Sequence, residues 1–357
     1  MTWRCDLVLL SWNHLECTRP CVESLLANTT VPSRLIIIDQ GSNEETVRYL
    51  RSISSSASVT VDLIFNPTNV GFPKGMNIGL KKATAPYVCF LNNDILVPPG
   101  WLEELIAVAE SDPSIGAVNP NSNTFGAIPP AGATRQEGQV VRPPLAETTW
   151  LAFARASSTQ RGRWVEINYG VGFCLLVKRE ILARLGGFDE KTYGQAYFED
   201  ADLGRQIQML GLRCVMAKGT YVWHHGGKST ASLPDRLRLF QENERRFIQK
   251  WGKGRRVLYA VRPWNPQQLS RLAEDARAEA NRSGSVWLLL GSSNGKLPEH
   301  LNIRVIRLNR WVLPWVALWQ AFTKKKKFDR MITDQRWLGL VLGRVRFLHR
   351  ASVELLS

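Results

Sequence analysis

Short, wholly apolar runs alternate with stretches of helical period through the first half of the chain, and this alternation constrains the fold more than any other feature. Arg34-Leu-Ile-Ile-Ile-Asp39 has no polar face at all. Such a strand must be covered on both sides, which happens in parallel sheets flanked by helices. Asp6 to Ser11, Val59 to Phe65, Tyr87 to Asn92 and Ile115 to Val118 read as further strands, with helices at Thr18 to Ala27, Gly75 to Ala83 and Gly100 to Glu110. The expected fold class is therefore α/β, a mainly parallel central sheet with helices on its faces. Asn119 to Glu166 is rich in Pro, Gly, Ser and Thr and reads as a long loop, either a lid or a surface insertion. Beyond it come a strand at Asn168 to Lys178, helices at Arg179 to Leu185 and Asp200 to Leu210, and strands at Leu212 to Ala217 and Tyr221 to Trp223. A basic amphipathic helix then covers Leu233 to Trp251, followed by a helix at Gln267 to Asn281 and strands at Val286 to Leu290 and Arg304 to Leu308. The expected organisation is a domain over 1–232, a basic helical segment over 233–265 packing on it, and a Trp-rich extension over 266–357 that is α/β or helical.

A chain of 357 residues, 44% hydrophobic and 22% charged, can bury a sizeable core, so disorder, collagen and disulfide mini-protein classes are excluded. Its charge is unevenly placed. Met1 to Ser232 carries 21 basic and 21 acidic residues, whereas Leu233 to Ser357 carries 25 basic and 10 acidic, the whole formal excess of +15. The last third thus suits an anionic surface. Six cysteines show no zinc-type spacing and read as buried thiols in a reducing compartment. Asp6 interrupts the first apolar run, so no signal peptide is expected and the location expected is cytoplasmic. No stretch offers the ~18 uncharged apolar residues of a membrane span.

Chemistry gathers at strand ends. In Phe90-Leu-Asn92-Asn93-Asp94 an apolar strand stops in three oxygen-bearing side chains, suited to a hard divalent cation that also neutralises a diphosphate. As an isolated triplet it would be an ordinary polar turn. It has company, however. Asn69-Val-Gly71-Phe72-Pro-Lys74-Gly75-Met-Asn77-Ile-Gly79 puts glycines and asparagines at a strand-to-helix junction, where free backbone N–H groups can meet phosphate. Asp39-Gln40-Gly41-Ser42 ends another strand.

The ordered series Ser11-Trp12-Asn13, Ile38-Asp39-Gln40-Gly41-Ser42, Asn69-Val-Gly-Phe72, Asn92-Asn93-Asp94, Gly172-Phe173, Gly187-Phe188-Asp189, Phe198-Glu199-Asp200-Ala-Asp202-Leu203 and Trp223-His224-His225-Gly226-Gly227 resembles the family 2 glycosyltransferases of GT-A fold, in texture the bacterial rhamnosyltransferase-like members. The resemblance runs from about Cys5 to Leu233. It implies an inverting, metal-dependent transfer of a sugar from a nucleotide-diphosphate donor to a hydroxyl of a glycan or lipid-linked glycan, in cell-surface polysaccharide synthesis. Carried over by position, Asp39 would meet the nucleobase with Ser11 and Asn13 beside it. Asn69, Gly71, Lys74, Asn77, Asn92 and Asn93 would line the donor. Asp94 and either His224 or His225 would hold Mn²⁺ or Mg²⁺, His224 being preferred. Asn92 stands where the family's first motif carboxylate is expected, a departure that bears on direct ligation by that position and not by Asp94. Asp200 would be the general base, at a helix start whose dipole favours its ionised form, and Glu199 would bind acceptor.

A non-catalytic nucleotide- or glycan-binding protein on the same scaffold is the alternative reading, and intact Asp94, Asp200 and His224 speak against it. A nucleotidyltransferase would need a basic Gly-rich loop after the first strand, where Ser11-Trp12-Asn13-His14 stands instead. In the tail, Trp311, Trp315 and Trp319 recur on one helical face just before Lys324 to Lys327. Either this is an interfacial helix with a polybasic flank for the cytosolic face of a membrane, or a Trp-rich packing face beside a solvated lysine turn. No nucleic-acid-binding motif accompanies the charge.

Overall fold

A computed structural model describes residues 2–123, 149–226, 235–263, 265–291, 297, 299–324 and 326–356. The chain divides into two compact units, Met1–Val165 with Tyr169–Phe247, and Glu166–Asn168 with Ile248–Ser357.

The first unit begins with β1 (Cys5–Ser11), α1 (Leu15–Asn28), β2 (Ser33–Gln40), α2 (Glu44–Ser52), β3 (Val59–Asn66), α3 (Phe72–Lys82), β4 (Tyr87–Leu91), β5 (Ile95–Leu96), α4 (Trp101–Ser111) and β6 (Ile115–Asn121). It continues with α5 (Trp150–Ser157), β7 (Trp164–Ile167), β8 (Cys174–Lys178), α6 (Arg179–Leu185), α7 (Glu190–Tyr193), α8 (Glu199–Met209), β9 (Arg213–Tyr221), β10 (Trp223–His224) and α9 (Arg236–Trp251), whose last turn belongs to the second unit. Eight strands form one sheet in the order β3-β2-β1-β4-β8-β6-β9-β7. The β3-β2-β1-β4 half is parallel, and β8 runs antiparallel between β4 and β6. Every residue of β1, β4 and β6 is buried, as the absence of polar alternation in their sequences requires. The mainly parallel sheet flanked by helices is thus present.

Several boundaries differ from expectation for physical reasons. Helix α2 is hidden from periodicity by its shortness, yet Asn43 caps it by accepting from the Thr46 N–H at 2.9 Å, with Glu44 and Glu45 in its first turn. The segment expected as one long loop holds α5 and β7, and its residues 124–148 lie outside the described ones. The strand expected from Asn168 starts only at Cys174, because Asn119 captures the preceding backbone. Its amide nitrogen donates to Val171 O (2.8 Å) and Cys174 O (2.6 Å), and its oxygen accepts the Val171 N–H (3.1 Å).

The second unit carries β11 (Arg256–Val261), α10 (Pro266–Asn281), β12 (Ser285–Gly291), β13 (Ile303–Leu308), α11 (Leu313–Thr323), β14 (Arg330–Thr333), α12 (Arg336–Arg344), α13 (Arg346–His349) and β15 (Ser352–Leu355). Its five strands are all parallel, in the order β13-β12-β11-β14-β15. Helix α10 packs on one face, through Leu269, Leu272 and Ala276, and α11 and α12 on the other, through Leu313, Ala317, Leu338 and Leu342. The central strand β11 lies inside the span 233–265 that reads as helical from sequence.

Candidate functional site

The two-residue strand β10 pairs antiparallel with β5, setting Trp223 opposite Leu96 and His224 opposite Ile95. This small pairing delivers an imidazole to the Asn92-Asn93-Asp94 strand end. His224 Nε2 stands 3.2 Å from Asp94 Oδ1 and 3.3 Å from Asn92 Nδ2. Its ring stacks on Phe173 with centroids 5.0 Å apart and planes at 15°. Asn123 grips its backbone on both sides, accepting the His224 N–H at 3.0 Å and donating to its carbonyl at 2.7 Å. The second Asp94 oxygen accepts the Gly226 N–H at 3.1 Å. Burial pushes the Asp94 carboxyl upward, but the hydrogen bond and charge of His224, with His225 and the Gly226 N–H, outweigh it, so the group ends below its ordinary value. His225 turns its ring edge to Trp223 instead.

Among the described residues no group of three His, Cys, Asp or Glu side chains is arranged to hold a metal ion by itself. A cation here would receive one carboxylate oxygen and one imidazole nitrogen. That mixed oxygen and nitrogen set suits Mn²⁺ better than the oxygen-preferring Mg²⁺, with most positions left for water and phosphate oxygens and no closed all-protein cage.

A cavity of about 440 Å³ has Asn92, Asn93, Glu199, Asp200 and His224 in its wall, with Asn69 at one side and Trp12, Phe72, Tyr169 and Phe240 as apolar lining. Asp200 is fixed by backbone donors: Gly172 N–H to Oδ2 at 2.8 Å and Ala201 N–H to Oδ1 at 2.7 Å. A side chain at 172 would press on the Phe72 ring at 3.1 Å. Burial raises the Asp200 carboxyl and these N–H groups only partly pull it back, leaving it above its ordinary value. Neighbouring Glu199 is buried with Oε2 unpartnered, and burial together with the Asp200 charge holds its carboxyl well above the usual range. Asp202, by contrast, is tied up within the fold by Tyr193 Oη (3.1 Å) and Gln206 Nε2 (2.7 Å).

The carboxylates are presented by a strained entry to α8. Tyr197 and Phe198 both adopt left-handed backbone, at φ 73° and 71°, each at a cost on the order of 1–2 kcal/mol. Asn243 on α9 holds them there. Its fully buried amide nitrogen donates to the carbonyls of Tyr193 (2.9 Å), Ala196 (2.7 Å) and Tyr197 (3.3 Å). The sequence reading missed Asn243 and Asn119. An uncharged Asn on the apolar side of an amphipathic helix, or inside an apolar strand, was the available signal, since a buried amide must find partners.

At the far strand ends, Ser11 and Asp39 are register partners on β1 and β2. Asp39 Oδ2 accepts the Ser42 N–H at 3.1 Å, while Asp39 Oδ1 and Ser11 Oγ are buried without a partner. Two orphaned polar atoms side by side at a parallel-strand terminus are what a polar ligand would satisfy. Asn13 pins the adjoining loop, its oxygen accepting the Asn43 N–H and its own N–H reaching Ser42 Oγ, both at 2.8 Å.

Three positions expected at the donor are used otherwise. Asn77 is consumed by the fold, bonded to Phe188 O (2.9 Å), Phe188 N–H (2.9 Å) and Glu190 Oε2 (3.0 Å). Gly71, at φ 88°, serves close packing, because a side chain there would meet Gly194 O at 2.5 Å. Lys74 is exposed and outside the cavity wall. Asn69 lines the cavity and folds its oxygen onto the Gly71 N–H at 2.9 Å; Asn93 lines it too and donates to Thr18 Oγ1 at 2.8 Å.

With this geometry in place, comparison with known proteins is decisive for family. Residues 6–186 match the family described as Glycosyl transferase family 2. The chain belongs to glycosyl transferase family 2. It is 30% identical over 224 residues to an O-antigen biosynthesis protein RfbC of Myxococcus xanthus, a match covering 59% of this chain but only 16% of that protein. An N-acetylglucosaminyl-diphospho-decaprenol L-rhamnosyltransferase of Mycobacterium tuberculosis is 26% identical over 237 residues, 62% of this chain and 75% of the relative. Among solved structures, a mannosyltransferase of Pyrobaculum calidifontis in complex with GDP-Man and Mn²⁺ superposes at a TM-score of 0.48 and 18% identity, over 71% of this chain and 66% of that one. That superposition is too loose to carry residue roles. All six cysteines are buried and free, and among the described residues no helix is long and apolar enough to cross a membrane.

Proposed function

We propose that this family 2 member is an inverting, metal-dependent glycosyltransferase that moves a sugar, a deoxyhexose by the analogy of its mycobacterial relative, from a nucleotide-diphosphate donor to a hydroxyl of a lipid-linked glycan. The observation that supports the reading is the meeting of Asp200 and His224 in the wall of one cavity from chain positions far apart, with Asp94 behind that wall, 3.2 Å from the His224 ring.

Ser11 and Asp39 would bind the nucleobase through their orphaned atoms, Asp39 Oδ1 accepting a base N–H. Asp94 and His224 would hold the cation, which neutralises the departing diphosphate so that no side chain need protonate it. Asp200, clamped by the Gly172 and Ala201 N–H groups, keeps a lone pair on each oxygen for the acceptor hydroxyl. It takes that proton as the hydroxyl oxygen bonds to the anomeric carbon and the bond to the diphosphate oxygen breaks, which inverts the anomeric configuration. Tyr169, Phe173 and the carboxyl of Glu199 offer an apolar wall and a polar handle for the acceptor sugar.

A screen of nucleotide sugars for released nucleoside diphosphate, run with and without manganese, tests the reading. One sugar should be hydrolysed slowly with metal and not after EDTA. Binding of a nucleotide sugar with no hydrolysis and no transfer under any condition would favour the non-catalytic alternative.

A further inference from the structure

Helix α11 is apolar but for Gln320 and Thr323, and the second unit buries only part of its apolar surface. Leu313, Ala317 and Ala321 face the sheet. On the opposite side Trp315 and Trp319 stand 67% and 60% exposed, with Trp311 just ahead of the helix at 72%. Helix α12 repeats the pattern, with Leu338 and Leu342 inward and Trp337 and Leu340 outward, at 45% and 63% exposed. The two outer faces join, since the rings of Trp315 and Trp337 lie 6.4 Å apart. Phe347 on α13, at 75% exposed, belongs to the same helical layer. Isolated exposed apolar residues are ordinary, but a contiguous surface led by four tryptophans marks a binding face.

The surrounding charge selects the occupant. From Leu301 to Phe328 there is no acidic residue, while Arg304, Arg307, Arg310 and the Lys324 to Lys327 run lie there; Arg336, Arg344, Arg346 and Arg350 follow, and the acidic Asp329, Asp334 and Glu354 of that later stretch are engaged with the Arg256 N–H, the Arg262 N–H and Arg330. Arg310 sits over the Trp311 ring at 4.8 Å. A tryptophan face on a segment this rich in guanidinium and ammonium groups matches the interface of an anionic bilayer, where the indole sits at headgroup depth and the cations meet phosphate. A second copy would bring the same positive charge against itself. We infer that the outer face of α11 and α12 docks on an anionic lipid membrane. The inference is independent of the chemistry proposed for the first unit.

The test is co-sedimentation of the full chain with vesicles of phosphatidylcholine alone and of phosphatidylcholine with 30% phosphatidylglycerol, at low and high salt. Binding is expected only to the anionic vesicles, and should fall at high salt. Trp315→Ala with Trp319→Ala should weaken it by about tenfold or more, and Lys326→Gln with Lys327→Gln should weaken it while reducing the salt dependence. Melting curves close to wild type are expected for both pairs, because all four side chains are exposed. Equal binding to neutral vesicles, no sedimentation with anionic ones, or unchanged binding by the tryptophan pair overturns the inference. So does a concentration-dependent dimer that buries these tryptophans and leaves the vesicles unbound.

Discussion

Replacing Asn243 by Ala should damage both stability and turnover, although the residue has no place in the chemistry. Its amide nitrogen serves three carbonyls in the 193–197 segment and its oxygen accepts from Arg246 Nη1 at 3.0 Å. Two good bonds are each worth about 0.5–1.5 kcal/mol net, and a carbonyl left buried without a donor costs about 1–3 kcal/mol. The expected loss is about 2–4 kcal/mol, or roughly 4–8 °C in the melting of the first unit. Freed of its clamp, the left-handed Tyr197-Phe198 pair can relax and let Glu199 and Asp200 move, so kcat should fall more than the donor KM rises. Asn243→Asp keeps the shape but loses both donors and sets a charge against carbonyls, which Arg246 only partly offsets; it should be no better than Ala. Calorimetry and initial rates on the two variants decide the matter. A melting point within about 1 °C of wild type together with an unchanged kcat for Asn243→Ala would refute the clamp.

Asp200→Asn should lower transfer by about 10²–10⁴-fold while donor binding by calorimetry stays within a factor of two or so of wild type; comparable transfer by the variant would remove the base assignment. Asp39→Ala takes away a charged hydrogen-bond acceptor and should weaken nucleotide binding by about 10–150-fold, read in the same titration. Asp94→Ala should abolish Mn²⁺ binding measured by electron paramagnetic resonance, and wild-type uptake by the variant would disprove that site. Burial holds the Asp200 carboxyl above its ordinary value, and a base must be ionised, so kcat/KM should be lost as pH falls through a midpoint above the usual carboxylate range near ~4. Stability moves the opposite way at this group, because protonation relieves a buried charge; an acid limb at the ordinary carboxylate value would contradict the environment described.

Legibility in the sequence followed physical scale. Long apolar strands such as β2 announced themselves because both faces are buried, and the strand ends at Asp39 and Asp94 could be placed from them. Strands β14 and β15 have four residues each, too few to establish a period, so the sequence leaves the second unit open between α/β and helical. That Asp94 and His224 stand near one another, 3.2 Å apart, was foreshadowed by motif order, whereas the packing of Asn77 and Gly71 was not: a residue in a glycine-rich turn looks the same whether it meets a ligand or the neighbouring Phe188 and Gly194 backbone. Asn243 shows the converse. Its partners lie some fifty residues earlier, so its place on the apolar side of the helix signals a buried amide but not the backbone that amide clamps.

The distribution of sulfur has a practical corollary. Every cysteine, from Cys5 to Cys214, belongs to the first unit, all are buried, and burial drives the thiols of Cys5, Cys21 and Cys89 upward, away from the reactive thiolate. Residues 248–357 contain none. A maleimide dye added to the intact chain therefore keeps time for the first unit alone, its labelling rate counting openings there while the tryptophan-faced unit goes unrecorded.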